Sequence, residues 1–202
     1  MSLHLRSGVI LGVCAALGIG SLTLSERSVL AQGKGGLTEA IGKISAAVDK
    51  GDLEGAKKLA AETAKNSEWD EVMHLFVLRS HKKPGLGVGD KAGAITPDGI
   101  EKKLMKLAEN PLSDKDLGAE SAALVKMGND MVALTLVTLA KPPEKDDGKK
   151  KKKDWVAWSE EMLKASQEFT AAAKAKKAAD LQKAAVKADK SCGKCHDVFR
   201  FE

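Results

Sequence analysis

The stretch that decides the fold is residues 154–200, "DWVAWSEEMLKASQEFTAAAKAKKAADLQKAAVKADKSCGKCHDVFR". It holds no proline, and its one glycine lies inside the closing "CGKCH". Across the whole chain Ala, Lys, Leu and Glu dominate, and these are strong helix formers. Trp158, Met162, Ala165, Phe169 and Ala172 recur at three- and four-residue spacing, which places them on one helical face. An unbroken helix of this length would be long for a globular domain. Asp180-Leu181 echoes Asp52-Leu53 earlier in the chain, so a turn is expected near Ala175–Ala179, with Asp180 in the first turn of a second helix.

At the end of that second helix stand Cys192, Cys195 and His196. Residues i, i+3 and i+4 share a helical face, so the two thiols and the imidazole point the same way. Two thiols at this spacing can add to the two vinyl groups of one haem, and the next residue then delivers a nitrogen to the iron. Other chemistry fits less well. A structural zinc site needs four ligands, and no second close pair accompanies these cysteines. A thioredoxin-like redox pair belongs beside a βαβ unit, and no strands are evident. A disulfide across two residues would close too short a loop to stabilise much.

Outward from there, the rest of the chain also reads as helical. Gly33–Gly36 is expected to be a flexible lead-in. Leu37, Ile41, Ile44 and Val48 mark a first helix, which Gly51 ends, and Asp52 caps the next. That helix runs from Leu53 towards Lys65. "EWDEVMHLFVLRS", residues 68–80, continues it or forms a further segment. Residues 81–93 read as a glycine-rich loop. Thr96-Pro97 is expected to open a helix that ends before Pro111. Ser113 caps a long helix from Asp114 to Ala140, with Leu117, Leu124, Met127, Met131, Leu134, Val137 and Leu139 apolar. "EKDDGKKKKKD", residues 144–154, reads as a solvated turn or as a docking patch for an acidic partner, with Asp154 capping a helix that begins at Trp155.

The N-terminus has the layout of an export signal. Arg6 precedes an apolar run from Val9 to Leu24, and small residues lead to a cleavage position after Ala31. The run is short for a spanning helix and holds three glycines. Residues 1–31 are therefore expected to be a removed signal, with Cys14 discarded, and residues 32–202 to form one domain in the periplasm without a stable membrane anchor. The whole chain carries a net charge of +5 with only 3% aromatic residues. That mild excess, with few rings to stack on bases, argues against nucleic-acid binding.

The stretch 154–200 resembles the class II c-type cytochromes, the cytochrome c′ and cytochrome c-556 group. That family carries its motif at the end of the last helix of an antiparallel four-helix bundle, followed by an aromatic residue and Arg, as in Phe199-Arg200 here. The resemblance implies an all-α, cytochrome c′-like four-helix bundle with an extra N-terminal helical segment. It also implies one haem c whose iron His196 holds as proximal ligand, thioethers from Cys192 and Cys195, and Arg200 near the haem. Residues 32–153 match loosely and are longer than usual. The function implied is electron transfer with no enzymatic chemistry. Expected partners are redox proteins, acidic ones among them, and a second copy in a homodimer. The alternative is an open iron that binds nitric oxide or carbon monoxide; a haem peroxidase would need distal acid–base residues. A Met or His opposite His196 favours a carrier. In the family that residue lies on the first bundle helix. If this is residues 53–80, Met73 and His74 are the candidates, while His81 reads as a solvated loop residue. Met105, Met127, Met131 and Met162 read as plain core.

Overall fold

Where the long Lys/Ala stretch needs a break, the backbone makes one without glycine. A computed structural model describes residues 34–80 and 83–200. The expected signal over residues 1–31 and His81 lie outside the described residues. Those described are predominantly helical: α1 Lys34–Asp49, α2 Leu53–Lys65, α3 Trp69–His74, α4 Ile100–Glu109, α5 Asp114–Ala140, α6 Lys152–Lys174 and α7 Ala178–Phe199. A two-residue ribbon, β1 Arg79–Ser80 against β2 Lys83–Pro84, is antiparallel, with Arg79 opposite Pro84.

The turns after α1 and α6 are the same device. After α1, Gly51 N–H donates to Val48 O and Asp52 N–H to Ala47 O. After α6, Lys176 N–H donates to Ala173 O and Lys177 N–H to Ala172 O. Both are Schellman closures with the penultimate residue left-handed: Gly51 at φ +78° and Lys176 at φ +53°. The turn expected near Ala175–Ala179 is thus present at 175–177, and Asp180 lies in the first turn of α7. The residue that corresponds to Asp52 is Lys177, however. Asp52 caps α2 by accepting from Gly55 N–H at 2.9 Å, and Ser113 caps α5 through Asp116 N–H.

Four boundaries differ from expectation. Helix α1 begins at Lys34, so Gly35 and Gly36 are helical rather than a lead-in. Of residues 68–80 only Trp69–His74 is helical. Thr96-Pro97, a cis peptide, opens no helix: the carbonyl of Asp98 accepts from Arg79 N–H at 2.8 Å, and α4 starts at Ile100 with extended Gly99 as its cap. Asp154 does not cap α6. That helix starts two residues earlier, where Asp146 accepts from Lys152 N–H at 2.8 Å.

Packing centres on α5. Helix α6 lies along one side and the α1–α2 hairpin along another, while α7 packs on α6 and on α4. Every residue of α5 from Met127 to Val137 is consequently buried. At Gly128 the approach of α6 leaves no space for a side chain: a Cβ there would stand 2.2 Å from Thr170 Oγ1. Phe169, fully buried, fills the same contact, a burial that contributes roughly 2–3 kcal/mol. Buried polar groups are paired. Asp130 meets Lys126 at 2.7 Å and Lys103 meets Glu120 at 2.6 Å, the latter tying α4 to α5. Asp49 accepts from Asn129 and Lys174, which joins the ends of α1 and α6 to the middle of α5.

The chain between α3 and α4 is organised by one ion pair. Arg79 grips Asp98 with two 3.0 Å hydrogen bonds and donates to the carbonyls of Gly89 and Lys91. Val88 N–H and Gly93 N–H also donate to Asp98, each at 2.8 Å. Burial pushes this carboxyl up, but Arg79 and the two backbone N–H groups outweigh it and hold it below the usual range. The glycine-rich loop expected from sequence is thus held by hydrogen bonds to Asp98 and Arg79.

Candidate functional site

Helix α7 turns a stripe of small side chains inward. Leu181, Ala184, Ala185, Ala188 and Ser191 are buried, as is Phe199 at its end. Small residues let α6 and α4 approach closely on either side. Two surface ion pairs fix the register with α6: Lys187–Glu168 and Lys194–Glu161, both at 2.6 Å. Exposed pairs of this kind contribute about 0–1 kcal/mol each.

Cys192 and Cys195 follow the stripe at its edge, half-buried, and neither is in a disulfide. Cys192 Sγ lies 3.7 Å from Met162 Sδ on α6, and Ser191 Oγ lies 3.3 Å from the same sulfur. Burial pushes the Cys192 thiol up to about 12, with the carboxylates of Asp189 and Glu101 and the neighbouring Cys195 also acting to raise it. Burial alone pushes the Cys195 thiol up to about 11. At neutral pH both are protonated thiols. Gly193 between them faces open space, since a Cβ there would meet nothing within 4 Å. His196 is exposed on the last turn, its carbonyl accepting from Arg200 N–H, and Arg200 is exposed beyond it.

Phe199 anchors this end of α7. Trp155 meets its ring edge-on at 5.0 Å, and Trp158 does so at 6.0 Å. Trp69 of α3 lies 5.2 Å from Trp155. The indoles are held from outside the cluster: Trp155 Nε1 donates to Thr138 O and Trp69 Nε1 to Lys141 O. All the tryptophans of the chain therefore gather beside the C-x-x-C-H turn. Their tie to Phe199 was not apparent from sequence, although Trp155 and Trp158 at i, i+3 on α6 carry a hint of it.

The segment expected to face the motif comes to the same end of the molecule. Trp69 brings in the start of α3, and Phe76 O, just past its end, accepts from Glu101 N–H at 3.0 Å. Glu101 is one of the carboxylates felt by Cys192. Met73 is half-buried against the core. His74 is exposed and pairs through Nδ1 with Asp70 Oδ2 at 3.3 Å. Among the described residues no hydrogen bond or ion pair joins His196 to Met73 or His74. The remaining methionines separate. Met127 and Met131 are fully buried in α5, Met105 is on the surface of α4, and Met162 touches the motif through Cys192.

Among the described residues no three His, Cys, Asp or Glu side chains gather closely enough to hold a single metal ion. The donors of the motif are spread along one helical turn and would suit a ligand that extends over several ångströms. Compared with known proteins, the chain matches no family model, no curated protein and no solved structure.

Proposed function

We propose that this chain is an exported, periplasmic c-type cytochrome that transfers electrons through one covalently attached haem. The observation that carries the reading is the end of α7, where two free, protonated thiols one turn apart flank an open position at Gly193, with an imidazole next in line. This donor set fits a haem c. Cys192 and Cys195 would hold it by thioethers, and His196 would be the axial ligand. The haem iron supplies a reversible one-electron couple, and no substrate chemistry is required.

The residues around the motif would position and shield that group. Met162, itself held by Ser191 Oγ, backs the Cys192 sulfur, and Phe199 locks the last turn of α7 against Trp155 and Trp158. We read α2 with α3, α5, α6 and α7 as the antiparallel four-helix bundle, with α1 as the added N-terminal segment and Lys103–Glu120 tying α4 to α5. The short connection at 175–177 suits antiparallel neighbours. Either Met73 or His74 would complete a carrier. His74 has its Nδ1 held by Asp70, the arrangement that leaves Nε2 for a metal, whereas Met73 has the more buried position. With neither in place, the iron would be open to nitric oxide or carbon monoxide.

Production with haem maturation in a bacterial periplasm tests this. Covalent haem should survive denaturing electrophoresis, and the Cys192→Ser/Cys195→Ser variant should carry none. The reduced protein should give a low-spin spectrum that carbon monoxide leaves unchanged, and either Met73→Ala or His74→Ala should convert it to a high-spin, carbon-monoxide-sensitive form. Wild-type protein without covalent haem would sink the reading, and strong carbon monoxide binding by wild type would replace the carrier with a gas-binding protein.

A further inference from the structure

The turn between α5 and α6 breaks a local electrostatic rule. Residues 141–154 hold seven lysines against the four carboxylates of Glu144, Asp146, Asp147 and Asp154. Three of the lysines, Lys151, Lys152 and Lys153, occupy the cap and first turn of α6. The N-terminal end of a helix carries positive partial charge, so cations there are unfavourable. Asp146 relieves part of this, accepting from Lys152 N–H and pairing with Lys151 at 3.7 Å. Lys145, Lys149, Lys152 and Lys153 are exposed and make no ion pair among the described residues. Asp146 and Asp154 offset this excess only in part, and such departures from local preference tend to mark functional positions.

The turn is ordered. Asp147 and Lys150 exchange backbone hydrogen bonds around Gly148, and Asp146 ties the loop to α6. Its position also ties it to the motif. Two residues past Lys153, Trp155 packs on Phe199, and Phe199 lies three residues after His196. Exposed Arg200 adds a further positive charge. The cationic turn and the proposed haem edge thus share one end of the molecule.

We propose that the exposed lysines Lys145, Lys149, Lys152 and Lys153 of the α5–α6 turn, beside the Trp155–Phe199 contact, form the docking face for an acidic electron-transfer protein. This rests on the haem reading. An electron carrier must bring its partner close to the haem, and clustered charge at that edge steers encounters there without requiring tight binding. The patch presents no large apolar side chain with which to enter a bilayer: Trp155 is 2% exposed and spent on Phe199. A protein surface therefore fits better than a lipid one.

The test uses the mature, haem-matured protein and a charge-reversed variant, Lys149→Glu/Lys152→Glu/Lys153→Glu. Glutamates suit the start of α6, so the variant should fold. A control, Lys50→Glu/Lys58→Glu/Lys177→Glu, makes the same charge change elsewhere. Oxidised flavodoxin serves as the acidic protein probe, titrated by calorimetry at low salt. Separately, stopped-flow oxidation of the reduced protein by hexacyanoferrate(III) moves one electron to the reagent, giving hexacyanoferrate(II). The patch variant should lose about tenfold in flavodoxin affinity and in oxidation rate, and the control less than twofold. Equal losses in both variants, or none in the patch variant, would overturn the docking face. So would patch-dependent binding to phosphatidylglycerol vesicles with flavodoxin binding unchanged, which would make the turn a membrane contact. Haem staining after denaturation reports the haem reading independently. Protein without haem that still loses flavodoxin binding on charge reversal keeps the face and sinks only the electron-transfer role.

Discussion

Lys176 is the residue at which this chain departs most plainly from local preference. It stands left-handed at φ +53°, in the position that Gly51 takes after α1. Left-handed backbone costs a side-chain-bearing residue about 1–2 kcal/mol, and glycine recovers most of this. Lys176→Gly should raise stability by about 0.5–1 kcal/mol in urea denaturation, and a loss would show that the turn is not strained. The opposite holds at Gly128. Alanine is the better helix former, but its Cβ would collide with Thr170 Oγ1. Gly128→Ala should destabilise by about 1–3 kcal/mol, and the double variant Gly128→Ala/Thr170→Ala should regain part of that. No gain in the double variant would remove the contact from the explanation. The same two residues show what sequence can disclose. Gly51 announces its turn, because glycine is the residue such a turn prefers. Lys176 announces nothing, and only the length of the helical run and the position of Asp180 pointed to a break. The C-x-x-C-H spacing was legible because its residues lie within one helical turn. Met162 against Cys192 was not, since that contact joins residues 30 apart in sequence.

Among the elements, the connection from α3 to α4 is held by one carboxylate. Asp98 is kept below the usual range in the folded state, so its contribution is present above the unfolded carboxylate pKa of about 3.9 and is lost as pH falls through the lower folded value. The protection of the Val88 and Gly93 amides against hydrogen exchange, relative to their intrinsic rates, should fall as the pH drops below about 4, since both donate to this carboxylate. Asp98→Asn should abolish that step, and an unchanged acid profile in the variant would rule Asp98 out. Asp98→Ala leaves the Arg79 guanidinium without its partner and should cost about 3 kcal/mol. Its loop was legible from its glycines, but Thr96-Pro97 was misread as a helix start and the Arg79–Asp98 pair was not legible, since chain that lacks a helical period gives no sign of a pair 19 residues apart. The long helices fared better. Ser113 and Ala140 bound α5 as capping and apolar spacing had indicated, because those signals act within a few residues. The start of α6 was missed because its cap comes from Asp146, outside the helix altogether.

At the scale of the molecule, the core depends on few large side chains. Phe169 is fully buried between α6 and α5, so Phe169→Ala should cost about 3–5 kcal/mol, measured by thermal or urea unfolding of the apoprotein and the haem-loaded protein alike. The clustering of Trp69, Trp155 and Trp158 near Phe199 gives a second measurement of the whole fold. Bound haem at Cys192 and Cys195 should quench tryptophan emission strongly, and unfolding should restore it. Bright emission from folded, haem-loaded protein would place the haem elsewhere.

The burial of α5 on several sides also bears on how such a chain could cross a membrane. Its apolar window reaches a mean hydropathy of 1.4, enough by length and composition to span a bilayer. A chain threaded through a translocation channel before folding would offer this segment to lipid as a stop. Asp130 sits near its middle, with Lys126 one turn earlier. A charge at that depth disfavours lateral insertion by about 2.5–3.5 kcal/mol. The pair that satisfies the folded core would then also serve, while still unpaired, to keep the segment moving through.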